Sequence, residues 1–255
     1  MARQSLGSEK SLPPNEVRYS PTMTGPDNRA SVKDMAELPK VIARLGLTPN
    51  VPVLSLVGGA AGLTEDIMPV VTDLLAQVVV PLLERLGAVV VYGGTDAGVM
   101  RAMGTTRRAA SAGFPLLGVA PEGKVAPSAI AGTAAPLEPN HTHFLTVPGR
   151  VWGDESPWLF AVASAIAGRA AALTLVLNGG DVTVIDVEHS LARSIPVLVV
   201  AGTGRTADLI TVNSPDARAR VIAESPITYV VDARDHASAR ERLSALLRTA
   251  GRTGA

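Results

Sequence analysis

The 255-residue chain has no cysteine. Disulfides, cysteine-ligated zinc and thiol nucleophiles are therefore excluded. Aromatic residues are scarce at 3%, and charged residues make up 18% against 47% apolar, a balance that excludes a disordered or fibrous chain. Net charge is lacking too, because 23 basic residues cancel 23 acidic ones. Nothing in that balance draws the whole chain to nucleic acid or to an anionic membrane. The longest apolar run, near Ile195–Ala201, falls far short of the roughly 20 residues of a membrane span. The N-terminus MARQSLGSEK has no apolar segment behind it, unlike a secretory signal. The expectation is a cytoplasmic protein with neither a nucleic-acid nor a membrane partner.

A chain of this length can bury about three quarters of its unfolded surface, enough for a core without staples. Residues 1–30 carry Pro13, Pro14, Pro21, Gly25 and Pro26 among polar residues and read as a flexible arm. Residues 31–255 show no composition break and read as one domain. Val32, Met35, Leu38, Val41, Ile42 and Leu45 recur at helical spacing over 31–45, with Pro39 expected to kink or split that helix.

From Pro52 a cycle of strand, glycine turn and helix repeats. Strands are predicted at 51–57, 88–92, 115–120, 141–147, 171–177, 195–202 and 227–233. Helices are predicted at 66–87, bent at Pro81, and at 98–113, 156–170, 182–194 and 239–251. Near-continuous Val, Leu and Ile runs belong to strands covered on both faces. Alternating with helices, they predict an α/β fold: a Rossmann-like, doubly wound, mostly parallel sheet with helices on both faces. Residues 121–140 read as a long loop.

Four strands end in small-residue turns: Gly58-Gly59-Ala60-Ala61-Gly62, Gly93-Gly94-Thr95-Asp96-Ala97-Gly98, Gly179-Gly180-Asp181 and Gly202-Thr203-Gly204. In a doubly wound sheet such turns gather at the carboxyl edge, where ligands bind. Glycine allows close backbone approach, and amides at a following helix start favour an anion. Arg205, next after Gly204, suits a bidentate phosphate contact. No Gly-x-Gly-x-x-Gly fits cleanly, and neither a Gly-x-x-x-x-Gly-Lys-Ser/Thr loop nor a Gly-x-Ser-x-Gly elbow occurs. His141 and His143 lack the further ligands of a metal site, so packed histidines are expected and neither metal nor cofactor is implied. Trp152 and Trp158 flank the acidic pair Asp154-Glu155 and could stack on a base or sit in the core.

Four segments together carry a resemblance: LSLVGGAAG (54–62), VVVYGGTDAGVMRAMG (89–104), LEPNHTHFLTV (137–147) and LVLNGGDVTVIDV through PVLVVAGTGRTADLI (175–210). They resemble the SLOG superfamily, in its prokaryotic branch related to the N-terminal cytosolic domain of melastatin-type TRP channels. The resemblance implies a Rossmann-like fold that senses a nucleotide-derived small molecule, ADP-ribose or cyclic ADP-ribose in relatives, and association into a homodimer. Carried over by position, Gly58, Gly59 and Ala60 would meet the ligand in the first turn. Gly94, Thr95, Gly98, Val99 and Met100 would form a second wall. Gly179, Gly180, Val182 and Thr183 would form a third, and Gly202, Thr203, Gly204 and Arg205 a fourth. Channel relatives place a basic residue in the helix after the PNHTHF strand, whereas here no Arg comes before Arg169. A second branch, the Lonely-guy phosphoribohydrolases, carries Gly-Gly-x-Gly-Thr-x-Glu-Glu. This chain has Val182, Ile185 and Asp186 where that run has its later glycine and two glutamates. The leading expectation is a nucleotide-ligand sensor without turnover. The alternative is N-glycosidic cleavage of a nucleotide with Asp186 as the catalytic carboxylate.

Overall fold

The computed structural model describes residues 28–60, 62–125 and 135–248. The expected arm up to residue 27, the middle of the 121–140 loop and the last residues of the predicted C-terminal helix lie outside the described residues.

Eight strands form one sheet: β1 (Arg29–Ser31), β2 (Val53–Gly58), β3 (Val89–Tyr92), β4 (Leu116–Pro121), β5 (His143–Val147), β6 (Ala172–Leu177), β7 (Val197–Ala201) and β8 (Thr228–Asp232). Their order is β1-β5-β4-β3-β2-β6-β7-β8, and every neighbouring pair is parallel. Side chains alternate between two apolar layers, as a strand period of two requires. Val53, Val57, Val89, Val91, Leu117 and Val119 enter one layer. Leu54, Leu56, Val90, Tyr92 and Leu116 enter the other.

Helices cover both faces. The first layer is closed by α1 (Leu38–Arg44), α5 (Ser156–Ala167), α6 (Asp181–Ala192), α7 (Arg205–Leu209) and α8 (Ala217–Glu224). The second is closed by α2 (Ile67–Leu74), α3 (Val80–Leu86), α4 (Gly98–Ala109) and α9 (His236–Arg248). The fold is thus the Rossmann-like, doubly wound sheet that the strand–helix alternation predicts.

Local structure differs from the sequence pattern, or adds to it, at several places, among them α7 and α8, which that pattern does not predict. The apolar spacing at 31–45 is not one helix. Arg29–Ser31 is an edge strand, Met35–Glu37 a 3-10 turn, and only Leu38–Arg44 is α-helical. Pro39 sits in the first turn of α1, where its missing N–H leaves no bond unmade. Residues 29 and 30, counted with the arm in the sequence, are therefore part of the sheet. Second, α2 and α3 form a continuous 20-residue helical stretch, Ile67–Leu86, long and apolar enough by composition to span a bilayer. The sequence predicts this helix over 66–87; the longest uninterrupted apolar run does not reveal that it has the length and composition of a membrane span. Here Val71, Leu74, Leu75, Val78, Leu82 and Leu83 pack into the second layer. A π-helical turn, Leu75–Val79, precedes Pro81. It absorbs the proline, whose absent N–H would have bonded the Gln77 carbonyl; Arg240 Nη2 donates to that carbonyl instead, at 3.0 Å. Third, α4 stops at Ala109, with Ser111 at φ +51°, short of the expected Gly113.

From β2 the chain winds outward through β3, β4 and β5. From β6 it winds the other way through β7 and β8. The direction reverses between β2 and β6, which creates a crevice at their carboxyl ends.

Candidate functional site

At that reversal the backbones come very close. Gly58 lies opposite Leu177 in the register of β2 and β6, and a Cβ on Gly58 would collide with the Leu177 carbonyl oxygen. Gly98, at φ +48°, starts α4 directly against the Gly59 carbonyl, which also accepts the Val99 N–H at 3.2 Å. Asn178, buried at φ +59°, ties the neighbouring turns together. Its N–H donates to Thr203 Oγ1 at 2.8 Å, and its Nδ2 donates to the carbonyls of Thr203 at 2.7 Å and Gly62 at 3.3 Å. Arg205, at φ +53°, reaches back across these turns. A Cβ on Gly62 would meet its Nη1 at 2.7 Å, and one on Gly180 would meet its Nη2 at 3.1 Å.

A cavity of about 450 Å³ opens there, within the size range of small-molecule sites. Of the residues singled out in the sequence, Gly58, Gly59 and Ala60 line it from the first turn. Thr95 and Met100 line it from the second turn and α4. Gly180, Val182, Thr183 and Asp186 line it from α6, and Arg205 from α7. Gly94, Gly98, Val99, Gly179, Gly202, Thr203 and Gly204 are not among its walls. Gly94 instead faces Gly118 and Phe144, and Gly179 faces Thr183 and Thr206. The Gly202 and Gly204 amides donate to Asp208, so the fourth turn contributes only Arg205.

Several walls went unassigned in the sequence. Glu155 and Leu159 enter from α5 and the residue before it, Asp96 and Ala97 from the second turn, Asp181 from the start of α6, and Pro136 from the loop. Trp152 also lines the cavity, 41% exposed. Trp158 packs against the first apolar layer. The acidic pair was visible in sequence; what distinguishes its members is burial. Asp154 accepts the Arg150 N–H at 2.7 Å and the Val151 N–H at 3.0 Å, while Glu155 is 7% exposed.

Burial raises two carboxyl groups that line the cavity. Burial pushes Asp186 up to about 7; the Glu155 charge adds to the rise and the Ser156 hydroxyl opposes it. Burial also raises Glu155, opposed by the Gly153 N–H, which donates to its Oε2 at 2.8 Å, while the Asp154 charge adds to the rise. Among the described residues, no salt bridge joins either carboxylate. Asp96 differs, being held by Arg101 Nε at 2.7 Å. The Arg205 guanidinium also lines the cavity, beside Gly180. The cavity thus holds one guanidinium, several carboxyl groups and an apolar lining that includes Leu56, Met100 and Leu159.

Behind the second turn, Glu138 is almost fully buried. Asn140 donates to it through N–H at 2.9 Å and Nδ2 at 2.6 Å, and Tyr92 Oη donates at 3.4 Å. The Glu138 N–H bonds the Gly94 carbonyl at 2.9 Å, and Asp96 N–H bonds Pro136 O at 2.8 Å. The LEPNHTHF segment therefore holds the second turn in place. His141 stands 4.0 Å from Glu138 and burial pushes it down to about 4. His143 Nδ1 lies 2.7 Å from Thr142 Oγ1. Among the described residues, no group of three or more His, Asp or Glu is placed to hold a metal ion. Helix α5 carries no basic residue. Arg169 lies beyond its C-terminus, with its N–H on Asn50 Oδ1, at the opposite edge of the sheet.

A family model described as SLOG in TRPM, prokaryote, matches residues 51–241, most of the chain. A search of curated proteins finds no match.

Proposed function

Because the chain belongs to the prokaryotic SLOG-in-TRPM family, we propose that the cavity between β2 and β6 binds a nucleotide-derived small molecule of the ADP-ribose or cyclic ADP-ribose kind. The observation that carries this reading is the convergence of Gly58, Gly59, Gly180 and the Arg205 guanidinium on one cavity at the point of reversal. A diphosphate needs close backbone approach and a planar cation, and these residues supply both. The apolar middle, with Met100, Leu159 and Trp152, suits a base, which gains from dispersion and aromatic contact. The Glu155 and Asp186 carboxyl groups suit ribose hydroxyls. This supports a ligand whose phosphates meet Arg205 and whose ribose meets Asp186.

Calorimetry with ADP-ribose, cyclic ADP-ribose, NAD and AMP tests the reading. Binding of at least one at micromolar to submillimolar concentration is expected. No heat from any of them at millimolar concentration would overturn it.

A further inference from the structure

The sheet is bounded by β1 and β8. β1 has three residues, and shortness is itself a protection against pairing with another chain. β8 is longer, Thr-Tyr-Val-Val-Asp, with no proline and no charge before its last residue. The Ile227 carbonyl accepts the Val197 N–H, and the Ala233 N–H donates to the Ala201 carbonyl, both at 2.9 Å. Backbone direction alternates along a strand, so 227, 229, 231 and 233 bond β7, while Thr228, Val230 and Asp232 turn their backbone groups to the open edge. Two of these groups are already bonded. The Thr228 N–H donates to the Ser225 carbonyl at 3.0 Å, and the Asp232 carbonyl accepts the Asp235 N–H at 3.1 Å. The Thr228 carbonyl, both groups of Val230 and the Asp232 N–H have no partner among the described residues.

This pattern is its own complement. A second β8 laid antiparallel, with a two-fold axis at Val230, exchanges both bonds between the two Val230 residues. Each Asp232 N–H then meets the Thr228 carbonyl of the other chain, and every one of the open groups is bonded. The side chains agree with that register. Tyr229 and Val231 belong to the second apolar layer, so Val230 points to the opposite face, where it is 50% exposed. The axis sets the two Val230 side chains side by side, each covering the other. Along the same edge runs a groove between β8 and α9, with Glu241 and Arg242 on its α9 side. The Arg242 guanidinium sits 4.9 Å over the Tyr229 ring, which keeps it at the edge. One acidic and one basic residue give this face charge complementarity to a copy of itself, whereas a face of one sign would repel its copy.

We propose that β8 is the contact strand of a homodimer, in which two chains join their sheets edge to edge, antiparallel, about Val230. The proposal is independent of the binding reading. Antiparallel joining points the carboxyl edges of the two sheets in opposite directions, and β7 stands between β8 and β6, so the two cavities stay separate.

The experiment follows the mass of the full chain by sedimentation equilibrium across micromolar concentrations, and amide hydrogen exchange at both ends of that range. A dimer is expected, with the Val230 and Asp232 N–H groups exchanging about tenfold or more slowly where it is populated. Val230→Lys puts two ammonium groups side by side at the axis and should raise the dissociation constant by about tenfold or more. Its Tm under monomeric conditions should match that of the wild type, because the side chain is half exposed. A wild-type chain that stays monomeric throughout would overturn the proposal. So would a dimer in which the Val230 N–H exchanges freely, which places the interface elsewhere. A Val230 N–H protected in the monomer would overturn it too, by giving the edge to a segment of the same chain.

Discussion

Asp208 folds back onto Gly202: its Oδ1 accepts the Gly202 N–H at 2.6 Å, and its Oδ2 accepts that of Gly204 at 3.0 Å. A carboxylate of the chain's own thus takes the place that an anionic ligand would have at this turn. The consequence is a division of labour after β7. The glycine turn is closed by an internal side chain, and only the next residue, Arg205, reaches the cavity.

Removing that internal cap leaves two amides to solvent. Asp208→Ala is expected to lower stability by about 0.5–2 kcal/mol, the range of helix-cap losses, with a Tm decrease of a few degrees. ADP-ribose affinity should be nearly unchanged, because Asp208 does not line the cavity. Thermal denaturation and calorimetry on one preparation check both halves. A large loss of affinity with intact stability would place Asp208 at the ligand.

Arg205 should show the opposite pattern. It is exposed, and its guanidinium lies over Gly62 and Gly180. Arg205→Ala is expected to weaken nucleotide binding at least tenfold, about 1.4 kcal/mol, with little change in Tm. Arg205→Lys should recover only part of this, because an ammonium keeps the charge and loses the planar fork. Equal affinity of the alanine variant and the wild type in a calorimetric titration would exclude a phosphate contact.

The fold was legible wherever a strand is covered on both faces. Val89–Tyr92 and Val197–Ala201 read as strands because every residue is apolar, and each lies beside glycine or proline. By contrast β1, Arg-Ala-Ser, has no such pattern. It is a strand because of residues far along the chain, as in the 2.6 Å contact between Ser31 Oγ and Thr146 Oγ1. Glycine was an incomplete guide to the site, since it marks close approach of backbone to ligand and of backbone to backbone alike. Gly58, Gly59 and Gly180 line the cavity, whereas Gly94 meets Gly118 and Phe144. Asp154 and Glu155 are adjacent carboxylates in the sequence. Only the packing of α5 separates a surface turn acceptor from a buried group with an elevated pKa.

That elevation makes stability depend on pH. Asp186 keeps its proton up to about pH 7 in the folded chain, against an ordinary value of 3.8. Between about pH 4 and 7 the folded state therefore binds more protons than the unfolded one, and this group's contribution falls as pH rises, by at most about 1.4 kcal/mol per unit. Asp186→Asn cannot ionise. It should be more stable than wild type at pH 8, by roughly 1–3 kcal/mol, and the gap should close towards pH 4. Urea denaturation of both proteins at pH 4.5, 6 and 8 measures it. A gap independent of pH would mean that Asp186 is ionised in the folded chain throughout.

Gly104 in α4 tests the support behind the second turn. A Cβ there would collide with the Glu138 carboxyl group, which is buried and held by Asn140 and Tyr92. Helix propensity alone favours Gly104→Ala by about 1 kcal/mol. Overpacking a fixed carboxylate costs about 1–3 kcal/mol, and the displaced Glu138 also loses its donors. Net destabilisation is therefore expected. In a Glu138→Ala background the collision is gone, so the same Gly104→Ala change should turn neutral or stabilising. That reversal is a coupling between the two positions, and a double-mutant cycle by urea denaturation reads it directly. Additive effects would mean that Glu138 can move aside without loss, and the second turn would then need another anchor than this carboxylate.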